Sequence, residues 1–311
     1  MFSQSSPAPA HPLQSNKIFS LARIAFRKQI IGRTVIRSKC IRENRAMKPW
    51  SGQWALVTGA SAGIGKALAE ELARGGTNLV LTARRLERLE ELAQKLAAEC
   101  KIQTKVFAAD LTHADAPEKI FEFTKEHGIA VELLINNAGF GAYGEFHTIE
   151  ARRLADMVQV NCGAVVQLTR LFLPEMVARR HGDVLIVAST ASFQSVPYIS
   201  TYAATKAFDL LFAEGLAEEM KPYGVRVCAL CPGSTESEFA EVAGQSRIAA
   251  TRANRETAEK VARNGLRALA SGRSYVISGL GNYLGVLGQR LVSRRMVARV
   301  AARMFRPQRD S

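Results

Sequence analysis

Tyr202 and Lys206 lie four residues apart in Thr201–Tyr223, a stretch whose pattern predicts a helix, so their side chains share one face. A free phenol ionises near pH ~10, too high for proton exchange at neutral pH, and a neighbouring ammonium lowers that value by stabilising the phenolate. The pair suits the passing of a proton to or from an oxygen. Ser189 closes a predicted strand, Val184–Ser189, where a hydroxyl can meet a substrate oxygen at a sheet's carboxyl edge. Thr190 beside it is a second hydroxyl.

A second set of residues suits phosphate. The predicted strand Trp54–Thr58 runs into Thr58-Gly59-Ala60-Ser61-Ala62-Gly63-Ile64-Gly65 and then a helix from about Ile64 to Arg74. Glycines let such a backbone turn sharply and approach a pyrophosphate, while the helix aims free N–H groups and its positive end at the anion. Gly59, Ser61, Gly63, Ile64 and Gly65 are the candidate contacts. A P-loop is excluded, because Ala67 follows Lys66 where Ser or Thr should hold magnesium. At the end of the next strand, Asn78–Thr82, NAD sites usually place an acid for the ribose hydroxyl. Here the sequence is Ala83-Arg84-Arg85. Guanidinium forks suit a 2′-phosphate, which favours NADP(H). Arg84 is the candidate ligand, while Arg85 could equally open the charged helix face that continues with Glu87 and Arg88.

The remaining elements must position these groups. Short apolar runs at Lys105–Ala109, Leu133–Asn136, Val225–Cys231 and Ser274–Ile277 read as further strands. Arg85–Glu99 and Glu150–Leu173 read as helices. Strands apolar throughout, separated by helices, indicate a parallel sheet covered on both faces. The expected fold class is α/β: a single Rossmann-fold domain over 47–280, with a doubly wound sheet of about seven strands and ligands at the strands' carboxyl ends.

The ordered motifs across 50–240 resemble the short-chain dehydrogenase/reductase superfamily. They are the glycine loop, Asn136-Asn137-Ala138-Gly139, Asn161, Ser189, Tyr202-x-x-x-Lys206 and Pro232-Gly233. The resemblance implies hydride transfer between NADP(H) and a small-molecule carbonyl or alcohol, with reduction as the direction in a cell. Tyr202 would exchange the proton and Ser189 would hydrogen-bond the substrate oxygen. Lys206 would bind the nicotinamide ribose, and Asn161 would hold a proton-relaying water. Asp110 would contact the adenine. Asn137, Gly139, Pro232, Gly233 and Ser237 would line the cofactor channel. Ser192 departs from the family's glycine, and Ser237 from its threonine. The resemblance also implies a homodimer or homotetramer. A non-catalytic dinucleotide sensor or a membrane-surface protein on this fold is the alternative. A serine hydrolase is disfavoured, since no G-x-S-x-G elbow occurs.

The formal net charge of +14 resides in the ends. Residues 1–46 hold nine Lys/Arg and one acid, 281–311 hold seven and one, and 47–280 hold 26 of each. The basicity therefore gives no case for nucleic-acid binding by the body. Segment 1–46 reads as a disordered extension, or as sequence upstream of a start at Met47, in preference to an organelle-targeting peptide. The 281–311 tail reads as a basic amphipathic helix: Leu284, Leu287, Leu291, Val297, Val300 and Met304 interleave with arginines. Such a helix lies on an anionic membrane or packs on the body. Five scattered cysteines argue against a disulfide framework. Cys228 and Cys231, three apart in a strand, should point to opposite faces. No metal is expected, and a cytoplasmic protein with or without peripheral membrane contact is.

Overall fold

The computed structural model describes residues 49–244 and 255–307. Segment 1–46 and its three readings lie outside them. Seven parallel strands form one sheet in the order β3-β2-β1-β4-β5-β6-β7. They are β1 (Trp54–Thr58), β2 (Asn78–Ala83), β3 (Thr104–Ala108), β4 (Val131–Asn136), β5 (Gly182–Val187), β6 (Val225–Cys231) and β7 (Tyr275–Ile277). The expected doubly wound sheet is present.

Two apolar layers fill the space between sheet and helices. On one face Leu79 and Leu81 meet α1 (Gly63–Arg74), α2 (Leu86–Cys100) and α7 (Ala258–Ala270). On the other face Val80 and Leu134 meet α3 (Ala116–Glu126), α5 (Ala164–Ala178) and α6 (Ser200–Met220). Helix α2 shows why it forms: Leu89, Leu92, Ala93 and Leu96 are buried at 3.6-residue spacing, with charges on the outer face. Alternation along β6 places Cys228 in the first layer and Cys231 in the second, so the two thiols do lie on opposite faces.

Three boundaries differ from the sequence reading in ways that matter. The expected continuous helix Glu150–Leu173 is α4 (Ala151–Val158), a π-helical turn (Gln159–Gly163) and α5, with Asn161 inside the turn. Single π turns inside helices often mark functional positions. Strand β5 stops at Val187, and Ser189 instead caps a 3₁₀ turn, Thr190–Phe193. The 281–307 stretch forms two helices, α8 (Leu280–Gln289) and α9 (Arg294–Phe305), of which Val286, Ala301 and Phe305 are buried. Helices α3 and α7 had no counterpart in the sequence reading.

At the amino end of the sheet Asp183 is fully buried. Its carboxylate accepts from Trp50 Nε1 at 2.6 Å and from Arg226 Nε and Nη2 at 2.6 and 2.7 Å. A fork of this kind fixes the start of β5 against β6 and anchors the chain ahead of β1. Asp183→Asn keeps the volume but removes the charge and half of the acceptors. It should lower unfolding stability by about 3 kcal/mol, because the guanidinium loses its counter-charge and the donors on one oxygen lose their acceptor. Urea denaturation should show a lower midpoint with an unchanged slope.

Candidate active site

The carboxyl ends of β1 and β4, where the strand order reverses, open a crevice as expected of a doubly wound sheet. A cavity of about 950 Å³ runs from there toward α8 and α9. Gly59, Ser61, Gly63, Ile64, Gly65, Arg84, Asp110, Asn137 and Gly139 line it. So do Ser189, Tyr202, Lys206, Pro232, Gly233 and Ser237. Of the sequence-derived candidates, Asn161 alone is not among the lining residues.

The glycine loop can receive a phosphate. Gly59 and Gly63 take φ of +66° and +54°, the left-handed region that side chains disfavour. The N-terminus of α1 has no side-chain cap and no acid in its first turn, so its orphan N–H groups stand open to an anion. Asn137 braces the loop, donating Nδ2 to the carbonyls of Thr58 and Gly59 at 2.8 and 3.3 Å.

The two arginines divide. Arg85 donates to Ser61 Oγ at 3.2 Å and to Glu238 at 2.8 Å, and Arg88 donates to the same carboxylate at 2.7 Å. Arg88 and Arg85 hold the Glu238 carboxyl below the usual carboxylate range. Arg84 lines the cavity and makes no ion pair among the described residues. Asp110 spends its carboxylate on the Thr112 amide at 3.0 Å, which shapes the turn after β3.

At the other end, α6 presents Tyr202 and Lys206 to the cavity. The Ser189 hydroxyl stands beside the Tyr202 phenol and favours its ionised form. Ser189 Oγ also accepts from the Ala191 amide at 3.1 Å. Ser192 donates its hydroxyl to the Lys206 carbonyl at 2.6 Å and accepts from the Ser189 amide at 3.3 Å, so this departure from the family's glycine ties the serine turn to α6. Lys206 Nζ donates to the Val187 carbonyl at 2.8 Å and to Asp209 at 2.9 Å. Burial pushes the Tyr202 phenol above its ordinary range; the Lys206 ammonium and the Ser189 hydroxyl pull it down, and Asp209 pushes it up again. The net direction is upward, against the lowering that an ammonium alone would cause.

Asn161 acts between these groups. Its side chain accepts from the Phe140 amide at 3.1 Å and donates to the Phe140 carbonyl at 3.1 Å and Thr205 Oγ1 at 3.0 Å. It braces the loop after β4 against α6 and makes no hydrogen bond to Lys206. Other features lay outside the sequence reading. Phe239 packs its ring 5.1 Å from that of Tyr202. Asp209 pairs with Lys206, and a signal for it existed, since it lies three residues on in the same helix.

Residues 53–247 match the family model described as short chain dehydrogenase. The chain belongs to the short-chain dehydrogenase family. It is 38% identical over 190 residues to the very-long-chain 3-oxoacyl-CoA reductase-A of Danio rerio, covering 60% of this chain and 59% of that protein. It is 33% identical over 213 residues to the very-long-chain 3-oxoacyl-CoA reductase of Bos taurus, covering 67% of this chain and 68% of that one. The match thus spans less than two thirds of the first of these relatives. A solved short-chain dehydrogenase from Sphingobium yanoikuyae in complex with NADPH superposes with a TM-score of 0.70 at 30% identity, covering 77% of this chain and 93% of that chain.

In this short-chain dehydrogenase a Cβ at position 65 would collide with the Gly59 carbonyl and the Asn137 amide, both fixed parts of the loop. Gly65→Ala should weaken nicotinamide dinucleotide binding at least about tenfold and also lower the thermal unfolding midpoint, because the Gly59 carbonyl and Asn137 must shift. Fluorescence titration and circular dichroism on one preparation would check both parts.

Proposed function

We propose that this chain is an NADPH-dependent reductase of a carbonyl compound with a long apolar tail, a 3-oxoacyl thioester being the substrate class that its relatives' names suggest. One observation carries the reading. A single cavity joins the glycine loop, Tyr202 and Lys206 to an apolar end walled by Val196, Ile199, Val292, Val297, Val300 and Met304. The NADPH in the solved neighbour supports the cofactor, as does Arg84, which has no ion pair among the described residues, at the place for a 2′-phosphate. Bound NADPH supplies the hydride. The residues around it match that need: an open helix N-terminus for the pyrophosphate, and glycines where side chains would obstruct it.

The protein's part is to place and charge the reacting oxygen. Ser189 and Tyr202 hold it by their hydroxyls. As the carbonyl carbon gains hydride, the phenol gives its proton to the oxygen, and the Lys206 ammonium steadies the phenolate left behind. Asn161 holds Phe140 and α6 in register, and a water relaying protons to Lys206 belongs beside it. Asp110 faces the adenine. Pro232, Gly233 and Ser237 border the nicotinamide side. The sensor alternative lacks support, because the tyrosine and the lysine both face the cavity.

Two assembly readings follow. The exposed side chains Val158, Val166, Phe208 and Leu211 on α4–α6 suit a homodimer or homotetramer contact. Helices α8 and α9 and the turn between them expose Leu284, Leu287, Leu291, Met296, Val300 and Met304, and Arg290, Arg294, Arg295, Arg299 and Arg303 are exposed with them. No acid falls within 281–307. This combination suits peripheral contact of a cytoplasmic protein with an anionic bilayer. No helix among the described residues is long and apolar enough to cross a membrane.

The deciding assay follows NADPH oxidation with a long-chain 3-oxoacyl-CoA, with acetoacetyl-CoA, and with NADH in place of NADPH. The long chain and NADPH should each give the higher kcat/KM, and Tyr202→Phe should lose about 10²–10⁴-fold in kcat. No turnover by a protein that binds NADPH would sink the reductase reading; equal kcat/KM for both chain lengths would sink the long-chain one. In a separate experiment the chain should pellet with anionic vesicles in low salt and be released by high salt. Reversal of Arg294, Arg295 and Arg299 to glutamate should abolish pelleting, and failure of the unaltered chain to pellet in low salt would exclude the bilayer contact.

A further inference from the structure

Asp209 is a buried charge to which the proposed reaction gives no part. It sits on α6 three residues past Lys206, and the two side chains are 6% and 1% exposed for Lys206 and Asp209 respectively. The ion pair is 2.9 Å long, and Asp209 Oδ1 has no hydrogen-bond partner among the described residues. A buried carboxylate with one oxygen unsatisfied is costly compared with an apolar side chain of similar size. The layer around this stretch of α6 is apolar, with Leu210 and Ala213 among its buried members, so packing does not call for an acid.

The ammonium has three donors. Val187 and Asp209 engage two of them, which leaves one for the cavity. The other titratable groups facing the pair are Tyr202 on α6, Cys162 in the π turn and Cys231 on β6. Burial pushes the Cys162 thiol up to about 11 and raises that of Cys231 further, so both stay neutral at neutral pH. Burial works against the Lys206 ammonium, but Asp209, with Tyr202, outweighs it and holds the amine protonated. Burial raises the Asp209 carboxyl and Lys206 pulls it down, and the net direction stays upward.

We propose that Asp209 is a positioning residue that aims the Lys206 ammonium and neutralises it, so that Tyr202 keeps its proton at neutral pH and the site works as an acid, in the direction of reduction. This rests on the proposed function in taking Tyr202 as the proton donor. The sign follows from electrostatics. A nearby negative charge raises the affinity of Lys206 and Tyr202 for protons. Without it the coupled pair must release its first proton at a lower pH, whichever group holds the one that remains.

The test is a ¹³C NMR titration of the full chain labelled at tyrosine Cζ, with Tyr202→Phe assigning the resonance by its loss. In the unaltered chain the phenol should stay protonated through pH ~9. In Asp209→Asn and Asp209→Leu the midpoint should fall by about one unit or more, and Asp209→Glu, which keeps the charge, should restore it. The alkaline limb of NADPH-dependent reduction should move down with it. An unchanged or higher midpoint in a folded Asp209→Asn chain, judged by near-ultraviolet circular dichroism, overturns the proposal. A phenol of the unaltered chain that ionises below pH ~8 does the same, even if neither variant folds. The titration needs no turnover. A chain that reduces nothing yet shows the fall would sink the proposed function and uphold the role of Asp209.

Discussion

The buried hydroxyl of Thr58 holds the two halves of the crevice in register. It donates to the Ile135 carbonyl at 3.2 Å and accepts from the amides of Asn137 and Ala138 at 2.9 Å each. Its one donor and two acceptor positions are all used. The end of β1 and the exit of β4 are therefore locked together at the point where the strand order reverses. The network continues without a gap. Asn137 holds the glycine loop, the chain after it reaches Phe140, and Phe140 is gripped by Asn161. Asn161 holds Thr205 on α6, and Ser192 ties α6 to the serine turn. Side chains from five separate segments thus form one polar frame, and the phosphate end of the cavity is mechanically joined to the phenol end.

Much of this was legible in the sequence, and for a physical reason. A parallel sheet covered on both faces writes itself as apolar runs between amphipathic helices, and a backbone that must approach a phosphate writes itself as glycine. Tyr202 and Lys206 were legible because a helix converts a spacing of four into a shared face. What was not legible depended on contacts distant in sequence. The π turn at Gln159–Gly163 has no composition of its own, so 150–173 reads as one helix. Helix α3 carries one local start signal, Pro117 in its first turn, too weak alone to mark a helix. Helix α7 had no counterpart among the elements expected from the sequence. The charge on Arg85 looked like part of a helix face. It is instead spent on Glu238, more than 150 residues further along, and nothing local announces that partner.

The C-terminal helices show how one sequence pattern can serve two faces. Read as a wheel, 281–307 offered either a lipid-facing helix or one packed on the body. The fold uses both options by breaking the stretch at Ser293, whose hydroxyl accepts from the Met296 amide and starts α9. Ala301 and Phe305 then turn inward against Val196, Ile199 and Tyr202, which places the tail beside the phenol. Met296, Val300 and Met304 stay exposed while also lining the cavity, so the apolar wall continues from the interior to the outer surface.

That continuity gives the cavity two ends of opposite character. Around the phenol most strong polar groups have a protein partner, and the ammonium has its own buried counter-charge. Toward α8 and α9 the lining is mostly apolar, with Asn282 and Gln289 as the polar side chains that α8 contributes. A substrate that is polar along its length would strip water there without compensation, which costs more than a well-paired group gains. A substrate with one polar head and an apolar tail meets each end with what it lacks. The neutral Lys206–Asp209 pair belongs to the same logic. An uncompensated cation beside so apolar a wall would attract water or an anion into the cavity. A balanced pair would leave the wall dry and direct the remaining polarity onto the one oxygen that Ser189 and Tyr202 hold in the proposed reaction.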